Sequence, residues 1–197
     1  MNEINKKEFK VGVDLFVKTV TSKKRVILTD SLRGSIKESF DFYKIKKHIP
    51  HYSIDRNGVI YQHINPLYYN EYYTDKKINT DSIIISMVNC SWVTYKNSDN
   101  KYYNWDFEEV EINDVVEISW NNNRYWQTYT TLQTQSLVEL CKMLNETHNI
   151  NLNAIFDNIY TPSCSLFSGV ICESNLYKWS NSLNPTFDFN YLRLGFS

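Results

Sequence analysis

Glycine, proline and cysteine are scarce in this chain, and their scarcity excludes several kinds of site. Only 5 glycines and 4 prolines occur in 197 residues, and no P-loop, nucleophile elbow or Gly-rich phosphate cradle is present. The 4 cysteines are widely scattered and none forms a Cys-x-x-Cys pair. We expect them to be reduced and partly buried, as in a protein that folds in a cytoplasm, with one disulfide pairing left open.

A strong net charge and a long apolar run are also missing. The net charge is −1 at pH 7, whereas a nucleic-acid-binding protein needs a basic face, so we expect no nucleic-acid partner. No apolar run approaches the roughly 18 residues of a membrane span. The first ten residues, MNEINKKEFK, are too polar for a signal peptide. We therefore expect synthesis in the cytoplasm without a signal peptide. If the protein works outside a cell, we expect it to leave by lysis, in a particle or through a machine.

Aromatic residues are abundant. The chain holds 15 Tyr, 10 Phe and 5 Trp, a composition that favours β-rich structure and half-buried surfaces suited to partners or sugars. Hydrophobic residues make up 42% and charged residues 22% of the chain, which is typical of a soluble globular protein. Its length suits one well-filled domain.

Apolar runs and helical repeats alternate along the chain. Residues 25–29 and 82–88 read as buried strands, and residues 169–173 as a last strand. A helix is predicted over about 32–45, and a second follows the capping box Thr130-x-x-Gln133. This alternation predicts one α/β domain with a mixed central sheet flanked by helices.

Three further segments complete the predicted organisation. Residues 1–24 form an N-terminal arm, in which residues 11–17 alternate as a strand or extended segment would. The domain itself covers 25–197 and carries a β-rich insertion at about 89–128, in which residues 110–120, VEINDVVEISW, suggest an added hairpin. Residues 63–80 are predicted to be an irregular, tyrosine-rich loop.

Residues 51–62 carry the strongest local signal. Their sequence, HYSIDRNGVIYQ, contains two alternating runs joined by Asn-Gly, which is the pattern of a β-hairpin. Taken alone, it predicts an ordinary hairpin of no particular function.

The order of these pieces resembles the zinc-dependent N-acetylmuramoyl-L-alanine amidases, the superfamily that includes bacteriophage endolysins and peptidoglycan recognition proteins. Residues 51–62 fit the family hairpin H-[YF]-x-I-x-R-[DN]-G-x-I-x-Q at every position. Residues 82–88 fit its S-I-G-I-E-L-V strand, and residues 125–130 fit its YW-x-x-[YF]-T helix entry. Two later family motifs lie over residues 169–176 and 182–189. The resemblance covers about residues 25–194 and implies the amidase fold.

Members of that family hold a zinc ion with two His and a third His, Cys or Asp. The zinc lowers the pKa of a bound water and polarises the scissile carbonyl. A Glu or Tyr handles the proton, and a Lys stabilises the oxyanion. The resemblance therefore implies a zinc cofactor and peptidoglycan hydrolysis.

This sequence departs from the family pattern at each of those positions. The zinc-ligand positions fall on Thr29, Glu173 and Asn184, the catalytic Glu on Ser86 and the Lys on Ser182. Thr and Asn are poor zinc ligands, and a single Glu cannot hold a catalytic zinc. We therefore predict no catalytic residue and no zinc, with these five positions as vestiges.

Other residues remain near the predicted groove. Tyr72 and Tyr73 stand where the family has an aromatic-His pair, and with His51 they are candidates for binding in the groove. A replacement metal site built from His51, Asp30 and Glu173 is the less favoured alternative, because buried polar side chains usually serve structure.

A sequence that keeps the family motifs but lacks the family's zinc ligands and catalytic residues predicts a pseudoenzyme. The expected role is a structural or binding component among the protein subunits of a larger assembly. Because bacteriophage tails often carry cell-wall hydrolase modules, a phage tail or virion is the expected setting. Two alternatives stay open: an N-acetylmuramoyl-L-alanine amidase that hydrolyses peptidoglycan by unusual chemistry, and a non-catalytic peptidoglycan-binding module.

Overall fold

The computed structural model describes residues 4–197. In chain order its strands are β1 (Arg25–Asp30), β2 (Tyr52–Ile54), β3 (Ile60–Gln62), β4 (Ser82–Met87), β5 (Trp92–Lys96), β6 (Lys101–Tyr103), β7 (Glu109–Val110), β8 (Val115–Trp120), β9 (Asn123–Gln127) and β10 (Gly169–Cys172). Its α-helices are α1 (Ile36–Lys46), α2 (Lys76–Asp81), α3 (Thr131–His148), α4 (Glu173–Leu176) and α5 (Phe189–Phe196).

A mixed sheet in the order β10-β1-β4-β2-β3 forms the centre of the structure. β1 pairs in parallel with both β4 and β10, β2 pairs in parallel with β4, and only β3 runs antiparallel. All six residues of β1 and of β4 are buried. Because parallel strands of this kind are covered on both faces, these two strands appear in the sequence as nearly continuous apolar runs. The predicted single α/β domain with a mixed central sheet is confirmed.

The two main helices begin at side-chain caps. In α3, Thr130 and Gln133 form the predicted capping box, and the face that contains Leu137 and Leu144 is buried against the sheet. α1 begins at Ile36 rather than near residue 32, because the Ser35 side chain accepts the amide of Glu38 and caps the helix there. No helix in residues 4–197 is long and apolar enough to cross a bilayer.

The predicted hairpin at residues 51–62 is present as the antiparallel pair β2–β3. The Gly58 amide donates to the Asp55 carbonyl at 2.8 Å, and Gly58 alone in this turn takes a positive φ, of 83°. Asn57 contributes differently, since its side chain accepts the Val59 amide at 3.0 Å. The hairpin therefore turns through four residues instead of a two-residue Asn-Gly loop.

The N-terminal arm lies on its own domain. Residues 11–17 were predicted to form a strand or an extended segment; no strand forms there, and a short 3-10 turn, Val13–Leu15, lies between the extended residues Gly12 and Phe16. Two isolated bridges attach the arm, Asn5 to Tyr61 and Val17 to Tyr69. The Phe9 ring packs edge-on against two rings of the domain, at 5.3 Å from each. Residues 1–3 of the predicted arm lie outside the described residues.

The insertion forms a second, antiparallel sheet in the order β7-β6-β5-β9-β8, which confirms the predicted β-rich insertion. Its hairpin joins β8 to β9 through Asn121 and Asn122, both with positive φ, and so lies later in the chain than the pattern predicted. Trp126 is fully buried and its indole donates to the Ile118 carbonyl at 2.8 Å.

Residues 63–80 were predicted to be an irregular loop. Their last part is instead helical, because α2 begins at Lys76 with the Asp75 side chain as its cap.

Replacing Gly58 with Ala should destabilise the fold, because a Cβ there would lie 3.0 Å from the Leu132 carbonyl oxygen at a positive φ. We expect the free energy of unfolding to fall by about 1–3 kcal/mol in denaturant titrations. Gly34→Ala is the matched control, because the nearest atom to its Cβ would be 3.6 Å away. Equal stabilities of the two variants would contradict the assigned turn.

Candidate functional site

A groove of about 480 Å³ opens at the edge of the central sheet where β1, β4 and β10 end. Parallel strands bring their carboxyl ends to one edge, and ligand sites of open α/β sheets lie there. Its polar lining comes mainly from the ends of β1 and β10 and from the loop after α4. The groove is lined by polar and aromatic side chains, among them Thr29, Asp30, His48, Tyr72, Tyr73, Glu173, Tyr177, Trp179, Ser180 and Ser182.

The carboxylate of Glu173 occupies the polar corner of the groove. Its Oε2 accepts hydrogen bonds from the hydroxyls of Ser180 and Ser182, each at 2.8 Å, and from that of Thr29 at 3.2 Å. Glu173 is only 6% exposed. Among residues 4–197, no Lys, Arg or His forms an ion pair with it. The corner is thus a carboxylate surrounded by hydroxyl groups.

Asp30, beside Thr29, is a second buried carboxyl group. Its Oδ1 accepts the Tyr129 hydroxyl at 2.6 Å, whereas its Oδ2 has no hydrogen-bond partner. Burial raises the pKa of Asp30 to about 8, the Tyr129 hydrogen bond opposes this rise, and the charge of Glu173 adds to it. Asp30 is therefore mainly protonated at neutral pH.

Asn184 lies outside the hydroxyl-lined corner. Its side-chain amide donates to the Gln127 carbonyl at 3.0 Å and to Asn89 at 3.2 Å, so it connects the insertion to the domain. The structure instead places Ser182 beside Thr29, with 3.1 Å between their hydroxyl oxygens. Two of the three predicted ligand positions, those of Thr29 and Glu173, come together, and Ser182 takes the place expected for Asn184.

The position expected for the catalytic Glu is filled by an internal hydrogen bond. Ser86 is fully buried in β4, and its hydroxyl oxygen accepts the Tyr43 hydroxyl at 2.7 Å. Burial raises the pKa of Tyr43 to about 12. Neither group is a proton acceptor suited to neutral pH.

His51 does not line the groove. Its Nδ1 accepts the Ile84 amide and its Nε2 donates to the Tyr68 carbonyl, each at 3.0 Å. Burial lowers the pKa of His51 to about 3, so the ring is neutral and both nitrogens are used. His51 therefore joins backbone segments instead of binding a ligand or metal.

The donor set of the corner does not fit zinc. Within residues 4–197, no group of three or more His, Cys, Asp and Glu is placed to hold a metal ion. The corner offers one carboxylate, and the surrounding hydroxyls already donate to it. Zinc prefers imidazole nitrogen, thiolate sulfur and several charged ligands, and neutral hydroxyls are poor substitutes.

A continuous row of aromatic rings forms one wall of the groove. Neighbouring ring centroids are 5.6 Å apart for His48–Tyr72, 4.9 Å for Tyr72–Tyr73, 5.4 Å for Tyr73–Tyr177 and 5.1 Å for Tyr177–Trp179. Tyr72 and Tyr73 thus lie in the groove, where the sequence placed them. Tyr177 and Trp179 were missed, although two aromatic residues soon after the last strand motif were a usable signal.

Comparison with known proteins identifies the family. A family model described as N-acetylmuramoyl-L-alanine amidase matches residues 21–165. The chain belongs to this amidase family. The matched range ends before β10, and so before Glu173 and Ser182. No curated protein sequence matches the chain.

Solved structures of this fold cover most of the chain at low identity. The amidase LysC from Clostridium intestinale is 10% identical, with a TM-score of 0.58 over 98% of this chain and 97% of LysC. AmiD from E. coli, in complex with an anhydro-N-acetylmuramic acid peptide, is 13% identical, with a TM-score of 0.59 over 90% of this chain and 59% of AmiD. The Drosophila peptidoglycan recognition protein SA is 9% identical, with a TM-score of 0.54 over 98% and 91% of the two chains. These neighbours show the fold alone.

The buried Asp30 should make stability depend on pH. Its folded pKa of about 8 lies above the ordinary value of 3.8, so between these values the folded state holds a proton that the unfolded state releases. Stability from this group is complete below pH 4 and is lost as the pH rises towards 8. Relative to Asp30→Asn, which keeps an acceptor for Tyr129, the wild type should lose up to about 1.4 kcal/mol per pH unit.

Urea titrations of the wild type and Asp30→Asn at pH 5, 6, 7 and 8 would measure this difference. Asp41→Asn is the control, because Asp41 lies at the surface with its pKa lowered by Lys44 and Lys37. A constant difference between wild type and Asp30→Asn across this range would show that Asp30 is ionised throughout.

Proposed function

We propose that this amidase-family domain lacks amidase activity and serves as a binding component, with peptidoglycan fragments as its ligand. The observation that carries the proposal is the contrast within one groove. An aromatic wall remains open to solvent, whereas the corner holds a hydroxyl-surrounded carboxylate in place of a metal-ligand set.

The corner supplies no route to a zinc-activated nucleophile. Zinc in this chemistry generates hydroxide near pH 7 and polarises the carbonyl, and the residues present do not fit the ion. A general base typically contributes about 10²–10⁴ in rate, yet Ser86 is bonded to Tyr43 and Asp30 is mainly protonated. A measurable amidase rate would need chemistry that these side chains do not provide.

The groove nevertheless has the composition of a ligand site. Such sites combine aromatic surface with a few polar groups that fix orientation. Here the rings of Tyr72, Tyr73 and Tyr177 lie beside one carboxylate, and Trp179, 71% exposed, stacks on Tyr177. AmiD, a structural neighbour, has a muramic acid peptide as its substrate, which supports a glycopeptide as the ligand class.

A second candidate is a structural role in a phage tail or virion, and the insertion favours it. In this insertion Phe107, Ile112 and Ile118 are 86%, 62% and 38% exposed, and exposed apolar side chains of this kind suit contacts with protein subunits. Several structural neighbours are endolysins. The N-terminal arm gives no support, because it packs on its own domain.

Trp179→Ala should weaken retention on insoluble peptidoglycan about tenfold, because it removes an exposed stacking surface at the groove. A co-sedimentation assay with purified cell walls would measure the retained fraction against protein concentration. Phe107→Ala is the matched control, since it removes an exposed ring outside the groove. Absence of wild-type retention would refute the peptidoglycan proposal and leave the assembly role, which co-purification with a phage particle would then test.

Metal analysis with a wall-turbidity assay separates the proposed binding role from catalysis. We expect substoichiometric zinc after dialysis against zinc and no release of muramoyl-linked peptides. Stoichiometric zinc with peptide release would establish a working amidase and overturn the proposal.

A further inference from the structure

We infer that Glu173 and the adjacent row of tyrosines form a binding site for an alkylammonium group of the ligand. This inference deepens the proposed binding function and rests on it. The group recognised at the corner around Glu173 would be a monovalent organic cation carried on an aliphatic chain.

The Glu173 carboxylate has no cationic partner among the described residues. Glu173 is 6% exposed, and its carboxylate accepts hydrogen bonds from hydroxyl donors. The nearest lysine in sequence, Lys178, places its Nζ 5.2 Å from the Tyr160 ring instead. Because burying an unpaired charge is costly, a cationic group that enters the groove would gain most of its affinity there.

A wall of aromatic rings lines the same groove as Glu173. Tyr73 is buried and Tyr72 is partly buried, and the pKa values of both are raised well above 10.0, first by burial and next by the charge of Glu173. The pKa of Tyr177 is raised to about 12 by the same two causes. The carboxylate therefore lies close to three tyrosines. A cation is attracted to the faces of such rings, and aromatic cages are how proteins recognise ammonium groups.

The hydroxyl of Tyr73 lies in this wall without a partner at ordinary hydrogen-bond geometry. Tyr73 is 7% exposed and lines the groove, and its hydroxyl is near enough to Glu173 for a weak hydrogen bond to that carboxylate to contribute to its raised pKa. Buried polar atoms are seldom left without a partner. An ammonium group offers up to three donors, so it would satisfy both this hydroxyl and the Glu173 carboxylate.

The donor set of the corner favours a monovalent cation. The hydroxyls of the corner surround the Glu173 carboxylate, whereas the Asp30 carboxyl group is bonded to the Tyr129 hydroxyl. A divalent metal ion would remain undercompensated and would meet aromatic faces on one side. An ammonium on an alkyl chain matches both the single charge and the apolar wall.

Two sources carry this chemistry, a lysine-type side chain of a cell-wall peptide and a choline-type headgroup. NMR titration of the wild type would use three probes: N-acetyl-lysine methylamide, choline, and N-acetyl-norleucine methylamide as the neutral analogue of the first. We expect the lysine probe or choline to bind at least tenfold more tightly than the norleucine probe. The cation that binds more tightly identifies the source.

Glu173→Gln should reduce the affinity for the bound cation at least tenfold, since it removes the charge and keeps an oxygen that accepts the surrounding hydroxyls. Glu146→Gln is the matched control, because Glu146 is exposed on α3 and does not line the groove. Thermal unfolding would verify that both variants fold. Equal binding of the lysine and norleucine probes by the wild type, with no choline binding, would overturn the inference without any variant.

Co-sedimentation with cell walls keeps the two proposals distinguishable. Wall retention by the wild type, together with probe titrations that show no preference for a cation, would refute the ammonium site and leave peptidoglycan binding standing. Absence of wall retention, together with Glu173-dependent probe binding, would refute peptidoglycan as the ligand and leave the ammonium site standing.

Discussion

The parallel pairing of β1 with both β4 and β10 is the constraint on which the rest of the structure depends. It places Thr29 directly opposite Ser86 and Leu28 opposite Cys172, so Glu173, the next residue, must arrive at the end of β1. Backbone hydrogen bonds on both sides hold this register because unpaired peptide groups are costly inside a protein. Both the groove and its corner follow from three strands that end together.

At this corner the buried carboxyl groups are stabilised by hydrogen bonds from hydroxyl groups of the same chain. A metal centre neutralises its carboxylates with the charge of the ion, whereas here the hydroxyls of Thr29, Ser180 and Ser182 donate hydrogen bonds to Glu173 and supply no positive charge. Asp30 accepts the Tyr129 hydroxyl at Oδ1, and its Oδ2 has no partner. Hydroxyl donors therefore stabilise the corner with a donor set unsuited to zinc. The row of aromatic rings lies beside it in the same groove.

Prediction from sequence succeeded where local interactions decide the structure. The capping box before α3, the apolar runs of β1 and β4 and the alternating hairpin are each contained within a few residues. It failed where apolar spacing alone does not decide the structure. Residues 11–17 alternate as a strand does, yet within them Val17 makes an isolated bridge to Tyr69, and the arm also packs on the domain through Phe9, against Phe40 and Tyr61. α1 starts later than its apolar spacing suggested because Ser35 caps the helix at Ile36.

The sequence by itself determined the family frame, the identity of the residues at the corner, such as Thr29 and Glu173, and the presence of Tyr72 and Tyr73 near the site. Only the tertiary structure decided which residue completes the corner. Asn184 and Ser182 are two positions apart in an irregular loop, and no periodicity distinguishes them. The loop closes so that Ser182 reaches Glu173 while Asn184 binds Gln127, because hydrogen bonds to residues far away in the chain determine its path. The same fold brings Tyr177 and Trp179 alongside Tyr73 and makes a wall from rings that the sequence keeps apart.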